Sequence, residues 1–116
     1  MSPHIQSRTG SQFSFRPTES IYNEKLPHLC DLWGEERTRV ISRALQIAWD
    51  NLDHLQPADD IETRSATPIN YRPSAYEEDV IFPDLVDKFG TSRSTAICQA
   101  IDFVYDKEME RRGINR

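Results

Sequence analysis

Cysteine is scarce in this chain, with two in 116 residues. That is too few for a disulfide framework. Cys30 and Cys98 are expected to be reduced thiols packed in helices. Long hydrophobic runs are missing. No stretch approaches the ~20 apolar residues that cross a bilayer, and no apolar signal segment opens the chain. A soluble cytoplasmic protein with no membrane partner is therefore expected. The three histidines, His4, His28 and His54, have no ligand spacing, so no metal is expected. No nucleophile elbow, phosphate loop or carboxylate dyad is visible. The serines lack a recurring histidine partner, so neither enzymatic activity nor a cofactor is expected. Excess positive charge is missing too. The net charge of −5 argues mildly against nonspecific nucleic-acid binding. The charge is unevenly spread. Residues 1–18 carry Arg8 and Arg16 and no acid, Asp50–Thr67 holds five acids and one arginine, and Arg111, Arg112 and Arg116 make the end basic. A local basic face is compatible with an acidic total.

What the chain does contain is a repeat. Shifted by 56 residues, Phe13–Leu52 lies on Ile69–Glu108 without a gap. Phe15-Arg16-Pro17 meets Tyr71-Arg72-Pro73, Leu26-Pro27 meets Phe82-Pro83, and Gly34 meets Gly90. Arg37-Thr38 meets Arg93-Ser94, and Ile41, Ala44 and Asp50 meet Ile97, Ala100 and Asp106. There are 10 identities in 40 positions, where ordinary residue usage gives roughly 2 or 3. Cys30 faces Val86 and Cys98 faces Ser42, so a repeated metal site is not expected. Asp84 replaces His28. A unit of ~40 residues rarely buries enough apolar surface to fold alone. Two such units can complete one core between them.

The chain divides accordingly. Residues 1–11 are polar and lack periodicity, as in a flexible arm. Unit 1 spans 12–52, an acidic linker 53–67, unit 2 68–110, and a basic tail 111–116. The linker, with Pro57 and Asp59-Asp60, reads as solvated, and extended it can reach ~50 Å. Each unit opens with alternating residues, Gln12–Arg16 and Pro68–Arg72, closed by Pro17 and Pro73. This is the strand pattern. Phe13, Phe15, Ile69 and Tyr71 point one way; Gln12, Ser14, Arg16, Asn70 and Arg72 point the other. Pro27 and Pro83 then interrupt helical composition. A loose first turn or 3₁₀ piece followed by a helix from about Pro27 to Trp33 satisfies them. Gly34 and Gly90 are placed to end these helices. Val40, Ile41, Ala44, Leu45, Ala48, Trp49 and Leu52 mark one face of the next helix, repeated by Ala96, Ile97, Ala100, Ile101, Val104 and Tyr105. Ser92 or Ser94 can cap that helix in unit 2, and Thr38 in unit 1. Trp33, Trp49, Phe89 and Tyr105 recur at core spacing and are expected to pack.

An isolated short strand cannot satisfy its backbone. Pairing Gln12–Arg16 antiparallel with Pro68–Arg72 does so, with the aromatic face on the helices and the polar face outward. Gln12-Phe13-Ser14-Phe15-Arg16 resembles the DNA-reading strand of Arc-type repressors. Gly34-Glu35-Glu36-Arg37-Thr38-Arg39-Val40-Ile41 and Gly90-Thr91-Ser92-Arg93-Ser94-Thr95-Ala96-Ile97 resemble the glycine turn into the second helix of the ribbon-helix-helix family. The matches span about 80 of the 116 residues. The resemblance implies a mainly α fold of two tandem ribbon-helix-helix units, a single-chain pseudo-dimer with a two-stranded antiparallel ribbon and four main helices.

The resemblance also implies a sequence-specific double-stranded DNA-binding regulator, a repressor inserting its ribbon into the major groove. Carried over by position, Gln12, Ser14, Arg16, Asn70 and Arg72 become the base readers. The phosphate contacts fall to Arg37, Thr38, Ser92, Arg93 and Ser94. Arg suits guanine O6 and N7, while Gln and Asn suit adenine N6 and N7. Localisation with the nucleoid follows, and self-association on adjacent sites remains open. The chain departs from the family pattern at Glu35-Glu36 in one phosphate-holding turn, at Pro68 opposite Gln12, and at Pro27 and Pro83. The first two departures imply a non-palindromic site or weakened DNA binding. Arg37 and Arg93 could instead pair with Glu36 or Asp87. The acidic linker and Glu35-Glu36 keep a second reading open: a protein-interaction module of antitoxin or inhibitor type, with a protein partner and little DNA affinity.

Overall fold

The repeat returns as a repeat of elements. The computed structural model describes residues 13–57 and 67–113. Strand β1 (Phe13–Phe15) leads through a π-helical turn (Ile21–Lys25) into helix α1 (Leu26–Trp33), followed by α2 (Arg37–Asp50) and a 3₁₀ turn (Leu52–His54). Strand β2 (Ile69–Tyr71), a second π-helical turn (Glu77–Ile81), α3 (Phe82–Phe89) and α4 (Arg93–Arg112) follow. From β2 to the start of α4, each boundary lies 56 residues after its counterpart. The described chain is mainly helical, with four main helices and one two-stranded antiparallel sheet. The arm 1–11 and Gln12 lie outside the described residues, as do 58–66 of the linker and 114–116 of the tail.

The strands pair Phe13 with Tyr71, Ser14 with Asn70 and Phe15 with Ile69. The pairing is centred on Ser14 and Asn70, the residues that the 56-residue shift also equates. Alternation does the rest. Phe15, Ile69 and Tyr71 are each 1% exposed, while Ser14 and Asn70 are exposed. Pro17 and Pro73 end the strands and are buried.

The core draws on both halves, the second contributing more buried residues. Leu29, Ile41, Ala44 and Leu45 from the first are buried with Leu85, Ile97, Ala100 and Ile101 from the second. The packing of α2 against α4 brings the halves together. Burying one Leu or Ile side chain contributes about 1.5–3 kcal/mol, whereas an exposed ion pair contributes about 0–1 kcal/mol. Packing therefore dominates. Two hydrogen bonds also cross between halves at equivalent places. His28 Nδ1 bonds the Tyr105 hydroxyl at 3.1 Å, and Trp49 Nε1 donates to Asp84 at 2.8 Å. Of the four aromatics assigned to the core, Phe89 and Tyr105 are buried, and Trp33 and Trp49 are half-buried against it.

Three expectations are corrected. Pro27 and Pro83 do stand in the first turns of α1 and α3, but the turn ahead of each is neither loose nor 3₁₀. Helical backbone begins at Glu19 and at Ala75 and runs through Pro27 and Pro83. An interior proline clashes with the carbonyl four residues back. Here the turn widens instead: Leu26 N–H bonds Ile21 O, and Phe82 N–H bonds Glu77 O, each five residues back. Second, Ser92 caps α4, accepting from Thr95 N at 3.3 Å. Ser94 and Thr38 lie inside their helices, and Glu36 stands at the α2 cap with no side-chain bond. Third, the linker is not solvated throughout, because Leu55 is buried in the core. Gly34 and Gly90 do end α1 and α3, with φ of 67° and 72°. Each turn closes on one carbonyl, Cys30 O or Val86 O.

Candidate functional site

The outward ribbon face carries Ser14, Arg16, Asn70 and Arg72, all exposed. Alternation turns Ser14 and Asn70 outward, and the arginine that follows each strand by one residue is exposed as well. Ser14 Oγ donates to Asn70 Oδ1 across the centre of the pairing. Arg16 and Arg72 stand two residues from that centre, on opposite sides. At ~3.4 Å per residue each lies roughly 7 Å from it, so the two are ~14 Å apart along the ribbon. No acid occurs in 13–16 or 69–72. The face therefore carries two guanidinium groups, an amide and a hydroxyl. Exposed Pro68 holds the place that Gln12 holds in unit 1.

The helix N-termini form the second part of the site. Glu36 and Ser92 share nearly one backbone, with φ −77° and ψ 166° against φ −75° and ψ 165°. A helix start leaves its first N–H groups without intrahelical partners. The side chains around the two starts differ. In unit 2 the Ser92 side chain takes one of those groups, Arg93 is exposed and Ser94 is half-buried. Arg93 lies 3.4 Å from Glu78 and 5.2 Å from the Phe82 ring centre. In unit 1, Arg37 and Thr38 are exposed, and the Arg37 guanidinium lies 5.8 Å from the Tyr22 ring centre. Tyr22 and Glu78 are equivalent in the repeat, so both arginines occupy one place and meet different neighbours. These neighbours, Glu78 and Tyr22, differ from Glu36 and Asp87, the partners weighed from sequence. Glu35 approaches Arg43 at 3.9 Å, which offsets part of its charge, and Arg43 itself lies 4.4 Å from the Trp33 ring centre.

Sequence reasoning missed Glu77. It is 4% exposed, the most enclosed acid among the described residues. Its Oε1 accepts from the Tyr71 hydroxyl at 2.7 Å and from Ser74 N at 3.1 Å, and its Oε2 accepts from Ser42. Glu77 N in turn donates to Ser74 Oγ at 3.2 Å. The Ser74-Ala75-Tyr76-Glu77 spacing is that of a capping box and was legible. Tyr71 and Ser42 could not be joined to it without coordinates.

The far end of α4 is also built around an acid. Glu108 accepts from Arg111 at 3.0 Å and Arg112 at 2.8 Å. Burial pushes its carboxyl up, but hydrogen bonds from Arg112 and Arg111 outweigh it and hold the group below its ordinary range. These two members of the basic tail are thereby engaged. A groove of about 490 Å³ there, lined by Ile47, Val104, Lys107, Glu108, Glu110 and Arg111, shares no residue with the ribbon. Burial pushes the Cys98 thiol up to about 12 and the half-buried Cys30 thiol up as well. Among the described residues no three His, Cys, Asp or Glu gather as a metal site, and no helix is long and apolar enough to cross a membrane.

Comparison with protein-family models, with curated proteins and with solved structures finds no match for this chain.

Proposed function

We propose that the chain is a single-chain pseudo-dimer of two ribbon-helix-helix units. In this reading it is a sequence-specific regulator of double-stranded DNA, acting as a repressor. The observation that carries the proposal is the outward face centred on Ser14 and Asn70, with an exposed arginine on either side and apolar residues behind it. Two strands ~4.8 Å apart fit a major groove ~12 Å wide. Arginines ~14 Å apart reach bases about four pairs from each other, given a rise of ~3.4 Å per pair. Arg16 and Arg72 are then the main base readers, and Asn70 lies between them with Ser14 against its amide. Arg37, Thr38, Ser92, Arg93 and Ser94 are the phosphate candidates. Arg93 must turn from Glu78 to serve, so unit 2 binds phosphate at some cost.

The Arg93–Glu78 pair and the Glu35-Glu36 turn favour one alternative, a protein-interaction module with little DNA affinity. Selection of sites from a random duplex pool, followed by titration at two salt concentrations, separates the two. The DNA reading predicts binding that weakens steeply with salt, because displaced counterions return to the phosphates. It predicts that Arg16→Ala or Arg72→Ala each loses about 1–3 kcal/mol of affinity and relaxes base choice. Absence of binding at low salt favours the protein partner.

A further inference from the structure

The two halves differ in what lies behind the ribbon. In unit 2, one carboxylate oxygen, Glu77 Oε1, accepts from both Tyr71 Oη and Ser74 N. Those residues flank Arg72-Pro73, so the chain on each side of Arg72 is tied to a single buried atom, through the Tyr71 side chain before it and the Ser74 backbone after it. The other oxygen takes the Ser42 hydroxyl from α2, which anchors the group to the opposite half. At the equivalent places unit 1 has Phe15 for Tyr71, Ile21 for Glu77, and Thr18 for Ser74, while Cys98 faces them in place of Ser42. Phe15, Ile21 and Cys98 are all buried. The carboxylate and its two hydroxyl donors have therefore been exchanged for nonpolar groups at three sites together, while Thr18 still accepts from Ile21 N at 3.2 Å as Ser74 does from Glu77 N, and Arg16 and Arg72 stay the same. Charge-assisted hydrogen bonds fix direction, and packing between apolar surfaces does not.

We propose that Glu77 is a positioning residue that clamps the backbone around Arg72, so that one half of a bound site is read more stringently than the other. This rests on the DNA-reading proposal for its consequence but not for the clamp itself. A reader held in place before binding loses less freedom on binding and tolerates fewer alternative geometries.

The test has two arms on the full chain. The first needs no DNA. Backbone ¹⁵N relaxation should give Arg72 a rigid order parameter of about 0.85 and Arg16 a lower one. In Tyr71→Phe, which installs the residue of position 15, Arg72 should fall to the value of Arg16. In the second arm, wild type and Tyr71→Phe compete for single-base-pair variants of the selected duplex. Arg16→Ala and Arg72→Ala profiles assign the two sides. Discrimination should drop at least about 5-fold on the Arg72 side alone, a substantial part of what one bidentate contact supplies. Glu77→Gln, which keeps the shape, is read in the same way if Tyr71→Phe unfolds.

Equal order parameters in wild type overturn the clamp. An equal loss on both sides, or none, overturns the stringency claim and leaves Glu77 a purely structural group. A rigid Arg72 in a protein that binds no duplex contradicts the DNA reading and leaves the clamp standing.

Discussion

Glu108 illustrates what a single residue contributes. Its side chain is 11% exposed and bonded to Arg111 and Arg112. Its folded carboxyl is held below the ordinary value of 4.5. Over that interval the unfolded chain binds more protons than the folded one, so stability rises with pH. The contribution is complete above about pH 4.5 and is lost as pH falls through the lower folded value. Thermal unfolding of wild type and Glu108→Gln should therefore differ most near neutral pH and converge in acid. A gap unchanged down to pH 3 would contradict the assignment. The surface arginines have a different status. Residue type and spacing placed Arg16 and Arg72 on one face, because strand alternation is a local rule. The Glu78 partner of Arg93 and the Tyr22 ring beside Arg37 come from the π-helical turns and the segment just before α3, so their pairing depends on where those turns pack.

Among the elements, α2 and α4 test capping in one molecule. Their cap backbones match, yet Ser92 holds Thr95 N and Glu36 holds nothing. Ser92→Ala should destabilise the protein by about 1 kcal/mol, and Glu36→Ser should stabilise it by up to about 1 kcal/mol. Denaturant unfolding with unchanged slope measures both. Equal effects of opposite residues on the two helices would show that the caps are not the difference. The second helices were legible because six apolar positions recur at helical spacing in each, although Leu52, read onto the same face, lies past the end of α2 in the 3₁₀ turn. The turns before Pro27 and Pro83 were not. Proline announces a broken bond, but whether the turn tightens or widens depends on what the freed carbonyls and neighbouring helices allow. Leu55 was misplaced for a related reason. One apolar residue in an acidic stretch has no periodicity to report its burial.

For the whole molecule, the repeat predicted strand pairing, the order of elements and a shared core, because two small units lack enough apolar surface alone. What the repeat obscured is the asymmetry: aligned positions draw attention to identity, whereas Glu77/Ile21, Ser42/Cys98 and Tyr71/Phe15 matter because they differ. The four outward ribbon residues converge through register, while Gln12 lies outside the described residues. The central claim is that this face meets a double helix. Mapping ¹⁵N–¹H shifts of the labelled chain during titration with a selected duplex tests it most directly. The account predicts the largest changes at Ser14, Arg16, Asn70 and Arg72, with smaller ones at the start of α4. Largest changes along the Ile47 and Lys107 groove, or no changes at low salt, would contradict it.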